Sequence, residues 1–256
     1  MAREQRLVFG EVAERYDRAR PGYPSELVAD VAQVLQLPAR ARVLEVGAGT
    51  GKGTSLWADV GYDVVCLEPS EEMAAFTRRN FAGRDNVTIE TVGLEDWPLE
   101  REAFDLVAAA QSWHWVDLEL GIVKAHDALR ATGGIALIWN WELERPSDVD
   151  AAFDEVYQRV APEMVKEPLK ARVGEGFRAQ LADSPLFGDV TTRTYPWEKP
   201  YTADTYVDLL GTHSDHRMLP AEQRAQLHDG IAEVIESLGG TVTLPYTADV
   251  YIAPRA

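Results

Sequence analysis

The sequence predicts an α/β fold, a mostly parallel sheet with helices on both faces. Three observations predict it. Short apolar runs alternate with helical patterns in five strand-then-helix units. The runs are apolar at consecutive rather than alternate positions, as strands buried on both faces are. A glycine-rich loop, "LEVGAGTGKGT" (44–54), directly follows the first run, at a strand-to-helix turn.

The elements follow in order. Ser25 is placed to cap a helix to about Gln36, with Leu27, Val28, Val31, Val34 and Leu35 on one side. "RVLEV" (42–46) is the first strand, and a helix from about Gly53 to Val60 stops at Gly61. "DVVCLE" (63–68) is the second strand; Ser70 caps the next helix, with Glu71 and Glu72 at the positive end of its dipole. "VTIETV" (87–92) and "FDLVAAA" (104–110) are strands, followed by a helix over about 118–131 ending at Gly133-Gly134 and the strand "GIALIWNW" (134–141). Residues 143 to about 185 are charged and helical, with Ser147 placed as a cap. "DVTTRTYPW" (189–197) returns to strand, helices follow at about 203–211 and 220–238, and "TVTLPYTADVYIA" (241–253) is the last strand after the Gly239-Gly240 turn.

With 256 residues, 46% hydrophobic and 26% charged, the chain can bury the core of one domain carrying an insertion. The net charge of −17 comes from 42 acidic and 25 basic residues. Such a field repels polyphosphates, and Arg78-Arg79 and Lys170 to Arg172 are too short and isolated to offset it. Nucleic acid is therefore excluded as the main partner. Cys66, the one cysteine, lies within an apolar run and reads as a small core residue. The start lacks a signal-peptide run, and no stretch approaches the ~18 apolar residues of a membrane span. A cytoplasmic protein is expected.

The loop decides among three ligands. A P-loop would need Gly and Ser/Thr where this chain has Val46 and Gly53. A dinucleotide fingerprint would need its third glycine at Lys52, but that glycine comes one residue early, at Gly51. The loop reads Gly47-x-Gly49-x-Gly51, preceded by Glu45. Glu68 ends the second strand, where an acid accepts hydrogen bonds from ribose hydroxyls. A carboxylate at Glu45 disfavours a diphosphate but suits the sulfonium and ammonium of S-adenosylmethionine (SAM).

These residues resemble the motifs of class I SAM-dependent methyltransferases. "VLEVGAGTGKGT" is similar to the first motif, and "VVCLEPSEEM" to the second, in which the resemblance gives Glu68 the ribose and Met73 the adenine. "VGLEDWPLEREAFDLVAAAQSWHWVD" is similar to the third and fourth; Gly93 stands where many relatives carry an aspartate, which passes the adenine contact to Leu94 or Glu95. The likeness extends to "FGEVAERYDRARPGYP" and "YTADTYVDLLGTHSDHRMLP", nearest in character to the subgroup containing trans-aconitate methyltransferase. It implies a Rossmann-like sheet of seven strands in the order 3-2-1-4-5-7-6, the seventh antiparallel. It also implies that Tyr16 and Arg20 close over the cofactor, Arg20 on its carboxylate. Residues 1–256 then form one domain, with a lid at 1–24 and a helical cap at about 143–185.

Ligands of such sheets sit at the carboxyl ends of the strands, so Gln111 to Asp117 should face the reactive methyl. Trp113 and Trp115 are candidate walls, Ala109 and Ala110 leave room, and Trp139, Trp141 and Trp197 read as core or wall. His114 is the candidate general base for a hydroxyl or amine; a carboxylate acceptor would need only orienting, by His114 or Gln111. His213 and His216, with Asp215 between, share a helix face, but no third ligand is evident and no metal is expected. The expected function is methyl transfer from SAM to a small molecule, with a carboxylate or hydroxyl oxygen favoured. An NAD-dependent oxidoreductase and a catalytically silent SAM-binding regulator are the alternatives.

Overall fold

The computed structural model describes residues 17–164 and 173–256. Seven strands form one sheet: β1 (Arg42–Val46), β2 (Asp63–Leu67), β3 (Val87–Glu90), β4 (Phe104–Ala110), β5 (Leu129–Glu142), β6 (Thr191–Thr202) and β7 (Thr241–Pro254). Their order is β3-β2-β1-β4-β5-β7-β6. β1 to β5 pair in parallel, and β7 runs antiparallel between β5 and β6. The expected order and the reversed seventh strand are both present.

Consecutive apolar residues divide between two cores because side chains alternate across a sheet. Val43, Val64, Cys66, Leu106, Ala108, Ala136 and Ile138 face one side, under helices α1 (Glu26–Leu35) and α2 (Lys52–Ala58). Leu44, Val46, Val65, Leu67, Val107, Ile135, Leu137 and Trp139 face the other. Helix α3 (Glu71–Asn80) starts at the Ser70 cap, whose hydroxyl accepts the Met73 N–H. Helix α4 (Leu118–Ala128) packs on the second side through Ala125 and Ala128. Each large apolar side chain so buried contributes about 1.5–3 kcal/mol.

The strands β5, β6 and β7 at one side of the sheet are long, and their pairings at Trp141↔Thr247, Trp197↔Tyr246 and Tyr201↔Val242 run past the carboxyl ends of β1 and β4. A third core grows on that extension. Helices α5 (Ser147–Val160), α7 (Ala203–Gly211) and α9 (Ala221–Ser237) enclose Phe153, Tyr206, Leu227 and Ile231 there, with Phe153 and Tyr206 stacked at 5.3 Å. The short helix α8 (Ser214–Met218) joins α7 to α9.

Several boundaries differ from the sequence reading. α4 ends at Ala128, and β5 starts at Leu129 because that residue pairs with Phe104. Gly133 and Gly134 lie inside this strand; a Cβ at Gly133 would sit 2.9 Å from the Asp105 carbonyl, so the glycines mark close backbone passage rather than a helix stop. Ser25 has helical dihedrals and makes no side-chain cap bond, and Pro146 rather than Ser147 occupies the cap position of α5. β6 continues through Pro196 and Pro200, which an edge strand tolerates. The stretch 143–185 divides between two bodies. α5 joins the cap, whereas α6 (Val173–Asp183) packs on the sheet, Phe177 stacking on Trp139 at 5.5 Å and Leu181 buried beside it. Among the described residues no helix is long and apolar enough to cross a membrane.

Candidate active site

A cavity of about 350 Å³ opens at the carboxyl ends of β1, β2 and β4. The loop from β1 to α2 forms its floor. Its first two N–H groups, of Gly47 and Ala48, both donate to the Leu67 carbonyl, at 2.8 and 3.1 Å. Gly47 has φ +72°, and a Cβ there would lie 2.5 Å from the Cβ of Ser112. Ser112 in turn donates its hydroxyl to the Val46 carbonyl, locking the ends of β1 and β4 together. Gly49, at φ +60°, has no atom within 4 Å of its Cβ position and borders the cavity.

Glu68 clamps this loop. One carboxylate oxygen accepts the Gly49 N–H at 2.8 Å and the other accepts the Ser70 N–H at 2.8 Å. The clamped carboxylate lines the cavity at the end of β2. Thr77 and Asn80 of α3 donate to the carbonyls of Gly49 and Thr50, at 2.6 and 3.1 Å.

Glu45 does not face the ligand space. It alternates with Leu44 and Val46, so its side chain enters the core beneath α2, where it is 1% exposed and accepts from the Thr54 hydroxyl and the Cys66 thiol. Burial pushes its pKa up to about 7, against the lowering effect of those two bonds. Gly53 makes the room, since a Cβ there would lie 2.3 Å from Glu45 Oε1. Gly51 also lies off the cavity, packed where a Cβ would meet Phe81 at 2.4 Å. Both belong to the support beneath the loop.

Arg20, Gly47, Gly49, Glu68, Met73, Leu94, Glu95, Gln111 and His114 all line the cavity. Tyr16 lies outside the described residues. Gln111 adopts φ +57°, uncommon for a residue with a side chain. Its N–H donates to the Ile138 carbonyl and its amide to the Asn140 carbonyl, both at 2.9 Å. The turn Trp113–Trp115 then splits its aromatics: Trp113 is buried in the core, while Trp115 lines the cavity beside His114, ring centres 4.8 Å apart. His114 Nδ1 is buried without a hydrogen-bond partner among the described residues. Burial pushes the His114 pKa down to about 4, so its imidazole is neutral at physiological pH.

Among the lining residues that escaped the sequence reading, Asn140 and Thr212 tie separate segments together. Asn140, in β5, donates to the Gly22 carbonyl at 2.7 Å and accepts the Trp197 indole N–H at 3.2 Å. The sign was a lone amide in the apolar run "GIALIWNW". Thr212, at the end of α7, accepts Arg20 Nε on its hydroxyl at 2.9 Å and Nη2 on its carbonyl at 3.3 Å. No local pattern announces it, because its role depends on where α7 ends.

Residues 44–138 match the family described as a methyltransferase domain. The chain is 31% identical over 235 residues to an uncharacterized methyltransferase of Mycobacterium tuberculosis, covering 91% of this chain and 87% of the relative. The chain belongs to the class I SAM-dependent methyltransferases. Its fold matches a solved structure assigned as a type II methyltransferase from Anaeromyxobacter dehalogenans, with TM-score 0.66, 22% identity, and 92% and 97% of the two chains covered. It is also 36% identical over 132 residues to a malonyl-[acyl-carrier protein] O-methyltransferase of Enterobacter lignolyticus, about half of each chain. The cofactor of this methyltransferase is SAM. The residues fit it: Glu68 stands at the end of β2, where an acid suits ribose hydroxyls, and the open space over Gly49 admits a ligand close to the main chain.

Proposed function

We propose that this methyltransferase methylates a carboxylate or hydroxyl oxygen of a small molecule. One observation carries the reading: the glycine loop, Glu68 and Met73 share a single cavity with the neutral imidazole of His114, whose Nδ1 is buried without a hydrogen-bond partner among the described residues. When bound, SAM supplies a methyl group already activated on a sulfonium. The chain's task is alignment and exclusion of water, and orientation alone can supply about 7–11 kcal/mol. In this reading Glu68 accepts from the ribose hydroxyls, Met73, Leu94 and Glu95 surround the adenine, and Arg20 meets the cofactor carboxylate. His114 and the Gln111 amide position the acceptor, with Trp115 as an apolar wall.

The depressed His114 pKa favours a carboxylate among the acceptor atoms. A base held at about 4 is poorly matched to deprotonating a hydroxyl near neutral pH. Neutral imidazole can still donate or accept one hydrogen bond, which suffices to orient an acceptor that is already anionic. The O-methyltransferase among the relatives supports oxygen as the acceptor atom.

The test is transfer of labelled methyl from SAM to separate panels of small carboxylic acids, phenols, alcohols and amines. Oxygen acceptors should be labelled, acids foremost; labelling confined to amines would overturn the reading. With an acceptor in hand, His114→Ala should lower turnover at least tenfold and leave S-adenosylhomocysteine affinity within about twofold, as expected for loss of an oriented acceptor. Equal losses in both would remove His114 from the reaction.

A further inference from the structure

Away from the glycine loop, the corner where α7 turns into α8 gathers groups that the methyl-transfer reading does not use. His213, Asp215 and His216 each present a ligand atom, and the three atoms lie within 4.8 Å of one another. The fold adds what the local spacing lacked. His228, from α9, reaches the same corner, its Nε2 3.2 Å from Nδ1 of His216. The rings of His213 and His228 are centred 6.1 and 5.3 Å from that of His216.

We propose that His213, Asp215 and His216 bind a divalent transition-metal ion of the zinc class, with His228 and Tyr157 supporting the buried His216. Two nitrogens, one carboxylate oxygen and an open fourth position for water make a familiar set for zinc or iron(II). Ligand atoms about 2.0–2.1 Å from a tetrahedral zinc lie about 3.3–3.4 Å from one another. His213 and Asp215 are only half-buried, so side-chain rotation can close the remaining distance.

His216 carries the argument furthest. It is 2% exposed, and both of its ring nitrogens have partners: Tyr157 Oη lies 3.1 Å from Nε2, opposite the His228 contact at Nδ1. A ligating histidine needs a hydrogen-bond partner on its second nitrogen, to fix the tautomer and the ring plane. Whichever nitrogen of His216 takes the ion, the other still has such a partner. The ion also offsets charge locally: its two positive charges meet one carboxylate here, in a chain of net charge −17. Asp215 Oδ1 already accepts the His216 backbone N–H at 2.9 Å, which holds the carboxylate beside the imidazole.

The place of the corner gives the ion a consequence. Thr212, next to His213, lines the cofactor cavity and holds Arg20. An ion on His213 therefore fixes the segment that carries Thr212. Metal binding itself is independent of the methyl acceptor, so the two readings stand or fall separately.

The experiment uses the full chain, stripped with a chelator and dialysed. Zinc is titrated by calorimetry against wild type, His213→Ala and Asp215→Asn, the half-buried ligands, because His216→Ala would also remove a buried side chain. Cobalt(II) provides an absorption readout of the ligand field. One zinc per chain at a Kd below about 1 μM, at least tenfold weaker in both variants, is expected for loss of a ligand. Zinc binding weaker than about 100 μM in wild type, or unchanged in both variants, overturns the proposal. A thermal shift with S-adenosylhomocysteine in the stripped chain shows in the same samples whether the cofactor site is intact.

Discussion

Gly47→Ala and Gly49→Ala separate what the glycine loop does for the fold from what it does for the ligand. Both residues have positive φ, +72° and +60°. An L side chain in that region costs about 1–2 kcal/mol. Gly47 carries a second cost, because its new Cβ would lie 2.5 Å from Ser112 Cβ, between the locked ends of β1 and β4. Overpacking of that kind adds about 1–3 kcal/mol. Gly47→Ala should therefore lose about 2–5 kcal/mol, or roughly 4–20 °C in Tm at 2–4 °C per kcal/mol. Gly49→Ala meets no atom, so its Tm should fall by only about 2–8 °C. Its methyl enters the cavity, however, where main chain and ligand must approach closely. S-adenosylhomocysteine should bind at least tenfold more weakly, an effect larger than the stability loss would give. The assay is thermal unfolding of both variants with and without S-adenosylhomocysteine, with calorimetric affinities at a temperature where each is folded. A Gly47→Ala variant within 2 °C of wild type would refute the packing argument. A Gly49→Ala variant binding like wild type would refute the placement of the ligand over the loop.

Two further predictions concern the acids around the loop. Burial raises the Glu45 pKa from 4.5 to about 7 in the folded state, so folding retains a proton that the unfolded chain releases. Its contribution is fully present below pH 4.5 and is lost as the pH rises through about 7, a difference of about 3 kcal/mol. Glu45→Gln cannot titrate, so the gap in stability between wild type and variant should change across pH 4.5–7 and level off above; a constant gap in denaturant melts would contradict the buried placement. Glu68→Ala leaves the Gly49 and Ser70 N–H groups without their acceptor and removes the proposed ribose contact. A bond to a charged group is worth about 1.5–3 kcal/mol, so S-adenosylhomocysteine affinity should fall about 10–150-fold by calorimetry, and an unchanged affinity would exclude Glu68 from the ligand.

The central strands were legible because burial on both faces leaves a continuous apolar run, and β1 and β4 match their expected limits at both ends. The glycine loop was legible because Gly47, Gly49 and Gly51 all take positive φ; Gly47 and Gly51 also leave room for Ser112 and Phe81, while Gly49 borders the cavity with no atom against its Cβ position. Position along a strand decided Glu45 against the expected contact, since alternation turns it under α2. What could not be read locally depends on contacts between distant segments. Gly133 looked like a helix stop because only the neighbouring strand reveals why a side chain is forbidden there. Thr212 and His228 acquire their surroundings from the way α7, α8 and α9 fold together, and no spacing within either segment encodes that.

The cap helices α5, α7 and α9 enclose one core, yet in the chain they are separated by α6 and β6, which belong to the sheet. The cap is thus a discontinuous module, stitched to the sheet by several crossings rather than hung on one linker. It cannot be exchanged as a single cassette between relatives. Transplanting residues 147–160 alone would mate a foreign α5 with a resident α7 and α9, splitting the Phe153–Tyr206 stack across two parents. Recombination that respects the fold must move 147–160 and 203–237 together, leaving β6 in place between them. The same arrangement means that substitutions repacking the cap core in this lineage should arrive as coordinated changes in two separated stretches of sequence.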